Sequence, residues 1–243
     1  MAYTLVVGNK NYSTWPLRAW VLLKELNVPF EEYVAPLNDL SPGKNLRDPW
    51  INITPTRKFP LLIVSSNGAT ALTGDRLIVW DSLAIAETVY ESYPAVWPAD
   101  SRARAFARSA TAEMHSGFSA LRDTCNNNVG LRIKLHSTDN AFAADLARLS
   151  ALIKQGLTSF AGPFLAGPTF TAADAMYCPV AFRFQTYGIS VADADVNAYF
   201  DRLRNLTSMQ EWEQGALAEP YRIQKYEDEA RQVGVVVSDL RKA

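Results

Sequence analysis

The first ninety-five residues of the chain alternate between short apolar segments and helical patterns, and this alternation limits the possible folds more than any other feature. The segment Tyr3–Val7 is short, apolar and rich in β-branched residues, which is typical of a buried strand. A helical pattern then runs from about Trp15 to Asn27, and a second strand is predicted over Glu32–Leu37. A helix of this length between two strands favours parallel pairing, so the sequence predicts a β-α-β unit.

A second group of elements continues this region in the order β-β-α. Strands are predicted over Phe59–Val64 and Arg76–Trp80, and Asp81 opens a helix that ends near Tyr93. Residues 38–56 contain several prolines and are predicted to be irregular, whereas residues 65–75 are predicted to form a long hairpin turn. The sequence therefore predicts an α/β domain over residues 1–95.

The pattern after Pro98 is helical, and no strand is predicted there. Asp100 is placed to cap a helix whose apolar stripe runs from Ala103 to Leu121. Further helices are predicted over residues 142–160, 172–187 and about 196–206. The predicted fold class is therefore α/β plus all-α, with an all-helical domain over residues 96–243.

Composition excludes several classes of function. The chain has 24 Lys and Arg against 25 Asp and Glu, and a net charge of −1 argues against a protein built to bind nucleic acid or an acidic membrane. Cys125 and Cys178 are too few for a disulfide scaffold, and with only two histidines a Cys/His metal site is not expected. The sequence shows neither a secretion signal nor an apolar run long enough to span a membrane, so we expect a cytoplasmic protein.

Two predicted helices begin with side chains that suit either helix capping or ligand binding. Ser13 or Thr14 begins the first helix, where free N–H groups and the positive end of the helix dipole attract an anion. Asp81 and Ser82 begin another helix, and this pair suits the ammonium and carboxylate groups of an amino acid. Simple capping explains both sites equally well, because Ser, Thr and Asp are common caps.

A proline at the start of the third predicted strand leaves two conformations open. The Phe59-Pro60 bond is either an ordinary trans bond or a cis bond, because only bonds that precede proline adopt the cis form readily. The cis form would leave the N–H and C=O of Phe59 free to pair with an extended peptide ligand.

Taken in order, these segments resemble the glutathione transferase superfamily over nearly the whole chain. Ser13 lies five residues before Arg18, and residues 54–60 (Thr-Pro-Thr-Arg-Lys-Phe-Pro) resemble the loop before the family's cis-proline. Residues 79–87 resemble its acidic-Ser-x-Ala-Ile segment, and Thr171–Asp174 resembles the capping box of a buried C-terminal helix. The spacing around Ser13 looks most like the serine-type classes, closest to the zeta class of maleylacetoacetate isomerases.

The resemblance implies a thioredoxin-like, glutathione-binding domain and a helical domain that lines the pocket for a second substrate. Glutathione would be the co-substrate, with no metal, and its thiolate would attack a small electrophile that is expected to be apolar. The implied glutathione-binding residues are Ser13, Thr14, Lys58, Phe59, Asp81 and Ser82. The implied second-substrate residues are Met114, Phe118 and Arg122, of which the first two are also typical of a helical core.

The resemblance also implies a role for one hydroxyl in catalysis. Ser13 is the expected hydrogen-bond donor to the glutathione thiolate, and Thr14 and Tyr12 remain alternatives. Members of the family usually form homodimers and act in detoxification, so the chain is expected to be a homodimeric glutathione S-transferase. An isomerase or lyase that uses glutathione, or a non-catalytic interaction protein on the same fold, is the alternative function.

Overall fold

The N-terminal domain has the predicted order, β-α-β followed by β-β-α. The computed structural model describes residues 2–35, 53–65 and 76–241. The elements of this domain are β1 (Ala2–Val7), α1 (Thr14–Glu25), β2 (Glu31–Val34), β3 (Leu61–Ser65), β4 (Arg76–Trp80) and α2 (Ser82–Tyr90). The predicted irregular segment as far as residue 52, and residues 66–75 of the predicted turn, lie outside the described residues.

The four strands form one sheet in the order β2-β1-β3-β4. β1 and β2 are parallel, as the β-α-β pattern predicts, and β3 is antiparallel to both β1 and β4. Val6, near the end of β1, pairs with Leu61 at the start of β3, and Leu61 pairs with Trp80 at the end of β4. This register brings three chain segments to one edge of the sheet: the start of α1, the residues before β3 and the start of α2.

The C-terminal domain is mainly helical, as predicted. Its helices are α3 (Ser101–Ser116), α4 (Ser119–Thr124), α5 (Asn140–Phe160), α6 (Ala172–Tyr187), α7 (Ala194–Arg204), α8 (Thr207–Leu217) and α9 (Gln224–Val233). None of the helices in the described ranges has the length and apolar character needed to cross a membrane.

Helix α6 is the centre of the C-terminal domain and packs against α1 of the N-terminal domain. It begins with the predicted capping box, in which the carboxylate of Asp174 accepts from the N–H of Thr171 at 2.9 Å. Asp174 also accepts from the N–H of Leu165 at 2.8 Å and from the hydroxyl of Tyr199 at 3.1 Å. These hydrogen bonds satisfy a carboxylate that is fully buried and fix the start of α6 beside α1.

The expectation that no strand follows residue 98 was wrong, so the domain is not wholly helical. β5 (Leu131–Leu135) pairs antiparallel with β6 (Gly234–Asp239), which lies about a hundred residues later in the chain. Leu131 and Ile133 of β5 are buried in the core, whereas Val235 and Val237 of β6 are exposed. Both strands have an ordinary length, but their pairing depends on a contact that is distant in sequence.

The prediction of a single helix after Asp100, with an apolar stripe from Ala103 to Leu121, is also wrong, because this segment forms two helices. The helix is interrupted at Gly117 and Phe118, and Phe118 has a left-handed backbone conformation with φ of 57°. α4 then starts as a separate helix, and Arg122 lies on α4 rather than on α3. The helices α8 and α9 near the C-terminus were not predicted.

Candidate functional site

Ser13 precedes the first residue of α1 and does not cap it. Its backbone is extended, with φ of −106° and ψ of 118°, and its side chain makes no capping hydrogen bond. The N–H of Ser13 donates to the carbonyl of Asn9 at 3.1 Å, which fixes the turn that follows β1. Among the described residues the hydroxyl is therefore free at the positive end of a twelve-residue helix, where a negative charge is stabilised.

Asp81 and Ser82 lie at the start of α2 and use their side chains differently. One carboxylate oxygen of Asp81 caps the helix by accepting from the N–H of Leu83 at 2.8 Å. The other oxygen lies 3.4 Å from Nε2 of His115, across the boundary between the domains. The hydroxyl of Ser82 is buried and has no hydrogen-bond partner among the described residues, so it is available to a ligand.

The backbone of Asp81 is strained. Its φ of 74° with ψ of 134° lies outside the regions that L-residues normally occupy, at a typical cost of about 1–3 kcal/mol. Such strain persists only where the surrounding structure imposes it, and it is concentrated at binding sites. Asp81 directly follows β4, at the same edge of the sheet as the start of α1.

The segment before β3 supplies main-chain groups to the same edge. The Phe59-Pro60 peptide bond is cis. Neither the N–H nor the C=O of Phe59 forms a hydrogen bond with another described residue. The carbonyl of the preceding Lys58 accepts from the hydroxyl of Thr54 at 3.2 Å, which braces this turn. Phe59 thus presents an unpaired main chain beside Ser13, while the ammonium of Lys58 is exposed.

One open cleft of about 640 Å³ brings these segments together. Of the residues that the sequence predicts for glutathione, Ser13, Lys58, Phe59, Asp81 and Ser82 line it. The remaining lining residues are Trp15, Thr56, Arg57, Pro60, Trp80 and Tyr226. Thr14 does not line this cleft and faces a smaller neighbouring cavity of about 220 Å³.

Two family models match the chain, one for each domain. The N-terminal domain model of glutathione S-transferase matches residues 12–92, and the C-terminal domain model of the same family matches residues 136–212. Together they span more than half of the sequence. The chain belongs to the glutathione S-transferase superfamily.

Solved structures with the same fold include two that were determined with glutathione. A glutathione transferase homologue from Burkholderia with bound glutathione has a TM-score of 0.60 and 24% identity, over 89% of this chain and 98% of that one. Ure2p in complex with glutathione has a TM-score of 0.62 and 16% identity, over 88% of this chain and 94% of that one. Glutathione transferase Omega 3C from Trametes versicolor has a TM-score of 0.64 and 16% identity, over 96% of this chain and 91% of that one. A sequence comparison with curated proteins gives no match.

Within this transferase fold, the hydroxyl of Tyr12 is already hydrogen-bonded to other residues of the protein. Its hydroxyl donates to Oε1 of Glu227 at 2.6 Å and accepts from Nη1 of Arg241 at 2.8 Å and from the N–H of Ile223 at 3.2 Å. Burial, followed by the hydrogen bond to Glu227, raises the pKa of Tyr12 to about 12. The hydroxyl is already committed to the C-terminal segment, which leaves Ser13 and Thr14 as the alternatives for a thiolate donor.

The two cysteines of the chain are also poorly suited to chemistry. Cys125 and Cys178 are both buried and reduced. Burial raises the pKa of Cys125 to about 12 and raises that of Cys178 well above its ordinary value. Neither thiol is therefore a reactive thiolate at neutral pH.

The second cavity lies between the two domains and shares Ser13, Trp15 and Tyr226 with the larger cleft. Of the predicted second-substrate residues only Arg122 lines it. Met114 and Phe118 are 1% and 5% exposed, belong to the core and line neither cavity at Ser13. Sequence reasoning missed several lining residues, namely Asn126, Asn127, Arg183 and Ile223.

The missed residues had weak sequence signals. The run Asn126-Asn127-Asn128 is visible as the end of a helix, but nothing in it indicates a cavity. Arg183 stands within the apolar stretch of α6, and a charged residue in a buried helix was the one available signal. Its Nε donates to the carbonyl of Cys125 at 2.7 Å, which holds the guanidinium at the boundary between the domains.

Arg18 lies one turn into α1 and adds a further buried positive charge. Its side chain is 2% exposed, and its guanidinium stacks on the ring of Trp15 with 4.3 Å between the Cζ atom and the ring centroid. Nε and Nη1 have no hydrogen-bond partner among the described residues. Burial, followed by repulsion from Arg183 and Arg122, lowers the pKa of Arg18 to about 9, so it stays protonated at neutral pH.

Proposed function

We propose that the chain is a serine-type glutathione transferase, in which the hydroxyl of Ser13 stabilises the thiolate of bound glutathione. One observation carries the proposal: the Ser13 hydroxyl is free of capping at the start of α1, in the same cleft as Asp81, Ser82 and the unpaired main chain of Phe59. A capping serine would have its hydroxyl engaged with the helix. A free hydroxyl at that end of the helix is instead available to an anion.

The cleft offers complementary groups to each part of the tripeptide. The Asp81 carboxylate would accept from the ammonium of the γ-glutamyl group, and the hydroxyl of Ser82 would donate to its carboxylate. The N–H and C=O of Phe59 would pair with the main chain of the central cysteine, as in β-strand addition. Lys58 would interact with the glycine carboxylate as an exposed and weaker contact.

The energy required for activation is of the size that one hydroxyl supplies. A free thiol has a pKa of about 8.5, and lowering it by about two units requires roughly 2.7 kcal/mol of preferential stabilisation of the thiolate. A hydrogen bond to a charged acceptor supplies about 1.5–3 kcal/mol. The N-terminus of a helix adds about 0.3–1 kcal/mol. Ser13 together with α1 is therefore sufficient, without a metal.

The proposal also includes the arrangement of the protein as a whole. Residues 1–95 would bind glutathione and residues 96–243 would line the second-substrate pocket, because Arg122 and Arg183 of the second region face the Ser13 hydroxyl across the smaller cavity. The active form would be a cytoplasmic homodimer. Light scattering at micromolar concentration tests the dimer: a species near twice 26.9 kDa is expected, and a single species at 26.9 kDa would contradict it.

The function itself is tested by glutathione binding and turnover together. We expect the wild-type protein to be retained on immobilised glutathione and to conjugate glutathione with chlorodinitrobenzene. Retention without turnover of any electrophile would favour a non-catalytic binding protein. A properly folded protein that neither binds glutathione nor reacts would refute the proposal.

A further inference from the structure

We propose that the second substrate of this chain carries an anionic group, such as a carboxylate, which binds to Arg122 and Arg183 beside the Ser13 hydroxyl. The inference rests on the proposed function, since it assigns a substrate class to the second site of a glutathione transferase. It replaces the apolar co-substrate that the sequence favoured.

The lining of the smaller cavity is polar and positively charged. It contains two arginines and no acidic residue, and the other polar groups are amides and hydroxyls. The lining residues are Asn9, Tyr12, Ser13, Thr14, Trp15, Arg122, Asn126, Asn127, Arg183, Ile223 and Tyr226. A purely apolar electrophile would strip water from both guanidinium groups without replacing it, which is costly.

Arg183 brings a buried charge with no acidic partner. It is 6% exposed, and its Nε and Nη1 donate only to neutral main-chain carbonyls, those of Cys125 at 2.7 Å and Pro179 at 3.4 Å. Its Nη2 has no hydrogen bond to any residue in the described ranges. Buried charges in proteins are normally paired, so this nitrogen has unused capacity to bind an anion.

Arg122 is the second arginine of this cavity, and it also has no acidic partner among the described residues. It donates to the main-chain carbonyls of His115 and Gly117, at the break between α3 and α4. These acceptors are neutral, and the described part of the chain places no carboxylate within ion-pair distance of Arg122. Its Cζ atom lies 5.9 Å from the ring centroid of Trp15, a residue that lines both cavities.

Arg18 does not line the cavity, but it adds a third positive charge near Arg122 and Arg183. It stacks on the same Trp15 ring, and repulsion from Arg183 and Arg122 is among the causes that lower its pKa. Asp81 is a described acidic group that opposes this effect, but it lines the larger cleft and not the smaller cavity. Three arginines this close together repel one another, and an anion bound in the cavity would relieve that repulsion.

The position of the cavity connects this charge to the reaction. Ser13 lines both spaces, so an anion held by Arg122 and Arg183 lies next to the site proposed for the glutathione sulfur. Asp81 and Ser82 line only the larger cleft. The two ends of the site therefore favour different ligands: the γ-glutamyl group at α2 and an anionic electrophile between the domains.

The inference is tested by equilibrium binding, which does not depend on catalysis. The affinities of para-nitrobenzoate and its neutral isostere para-nitrobenzamide are measured by calorimetry with S-methylglutathione present at saturation. We expect the carboxylate to bind at least about tenfold more tightly, from one or two charge-assisted hydrogen bonds. Arg122→Met should abolish this preference. The exposed Arg102 on α3 provides the matched control, and Arg102→Met should retain it.

Kinetics then separate this inference from the proposed function. We expect a higher kcat/KM for chlorodinitrobenzoate than for chlorodinitrobenzene, and loss of that preference in Arg122→Met with an unchanged KM for glutathione. Turnover without any preference for the anion, or a carboxylate that binds no more tightly than the amide, overturns the inference and leaves the proposed function intact. A KM for glutathione that rises with Arg122→Met also overturns it, because the arginine would then hold glutathione. Binding of the anion without turnover of either electrophile contradicts the proposed function instead.

Discussion

The hydroxyl of Tyr12 donates to Oε1 of Glu227 at 2.6 Å, a contact that joins positions 215 residues apart in the chain. Glu227 also accepts from Nη1 of Arg241 at 2.6 Å and from Nη2 of the same side chain at 3.0 Å. This buried group ties the turn before α1 to α9 and to Arg241, the second residue after β6. It thereby holds Tyr226, the neighbour of Glu227, against the ring of Tyr12 at 5.6 Å between centroids, where it lines both cavities.

Tyr12→Phe separates the structural role of this hydroxyl from catalysis. Glu227 and Arg241 would lose one buried partner, so we expect a loss of about 1–3 kcal/mol in the free energy of unfolding. The kcat/KM for conjugation should remain within about threefold of the wild-type value, because the hydroxyl is committed to Glu227, Arg241 and Ile223 and Tyr12 does not line the larger cleft. Urea denaturation and steady-state kinetics measure the two effects. A large fall in kcat/KM at unchanged stability would identify Tyr12 as the thiolate donor.

Arg241→Met should lower the free energy of unfolding more than Tyr12→Phe does. It would leave the carboxylate of Glu227 buried with much of its charge uncompensated, and breaking such a pair typically costs about 3–5 kcal/mol. Arg231 on α9 is exposed and lies 3.9 Å from the same carboxylate, which makes it a suitable control. We expect Arg231→Met to cost less than about 1 kcal/mol in urea denaturation. Equal losses in the two variants would show that the buried pair has no special importance.

Asp239 should contribute to stability in a pH-dependent way. Burial alone would raise the pKa of its carboxyl, but hydrogen bonds from Arg241 and Arg222 outweigh burial and lower the pKa to about 2. Because the folded pKa lies below the unfolded value of about 3.9, the contribution is present above pH 3.9 and is lost as the pH falls through about 2. Thermal denaturation of wild type and Asp239→Asn should therefore differ near neutral pH and converge towards pH 2. A difference that stays constant over this range contradicts the assignment.

Local signals made much of the fold predictable from the sequence. The capping box of Thr171 and Asp174 depends on residues three apart, and the start and end of α6 were predicted correctly. β4 was predicted with its exact bounds, Arg76–Trp80, because an apolar, β-branched run is followed directly by a helix-starting aspartate. The convergence of Ser13, Phe59 and Asp81 follows from the topology of this fold.

Features that depend on distant contacts could not be predicted. β5 and β6 stabilise each other across about a hundred residues, and the partner of Tyr12 lies at Glu227. Met114 and Phe118 have the spacing of a pocket wall and of a core equally, and only the break at Gly117 places them in the core. The charge of the smaller cavity depends on Arg183, whose direction within a buried helix has no signature in the sequence.

Asp81→Ala should weaken glutathione binding more than it slows the chemical step. Its carboxylate lies at the γ-glutamyl end of the proposed site, away from the sulfur, so the KM for glutathione should rise about tenfold while kcat changes little. Adding Ser82→Ala should raise the KM further. Glu87→Ala on the same helix is the control and should leave the KM unchanged. Unchanged glutathione affinity in the double variant would show that the site lies elsewhere.

The most direct test of the account is the pKa of the glutathione thiol when it is bound, measured from the ultraviolet absorbance of the thiolate as a function of pH. In the wild-type protein the pKa should lie below the value of about 8.5 that is typical of a free thiol. Ser13→Ala should raise it by about one to two units and lower kcat/KM by about ten- to a hundredfold, through loss of one charge-assisted hydrogen bond. Thr14→Ala should leave both close to wild type. A bound thiol with the same pKa in wild type and Ser13→Ala would contradict the account.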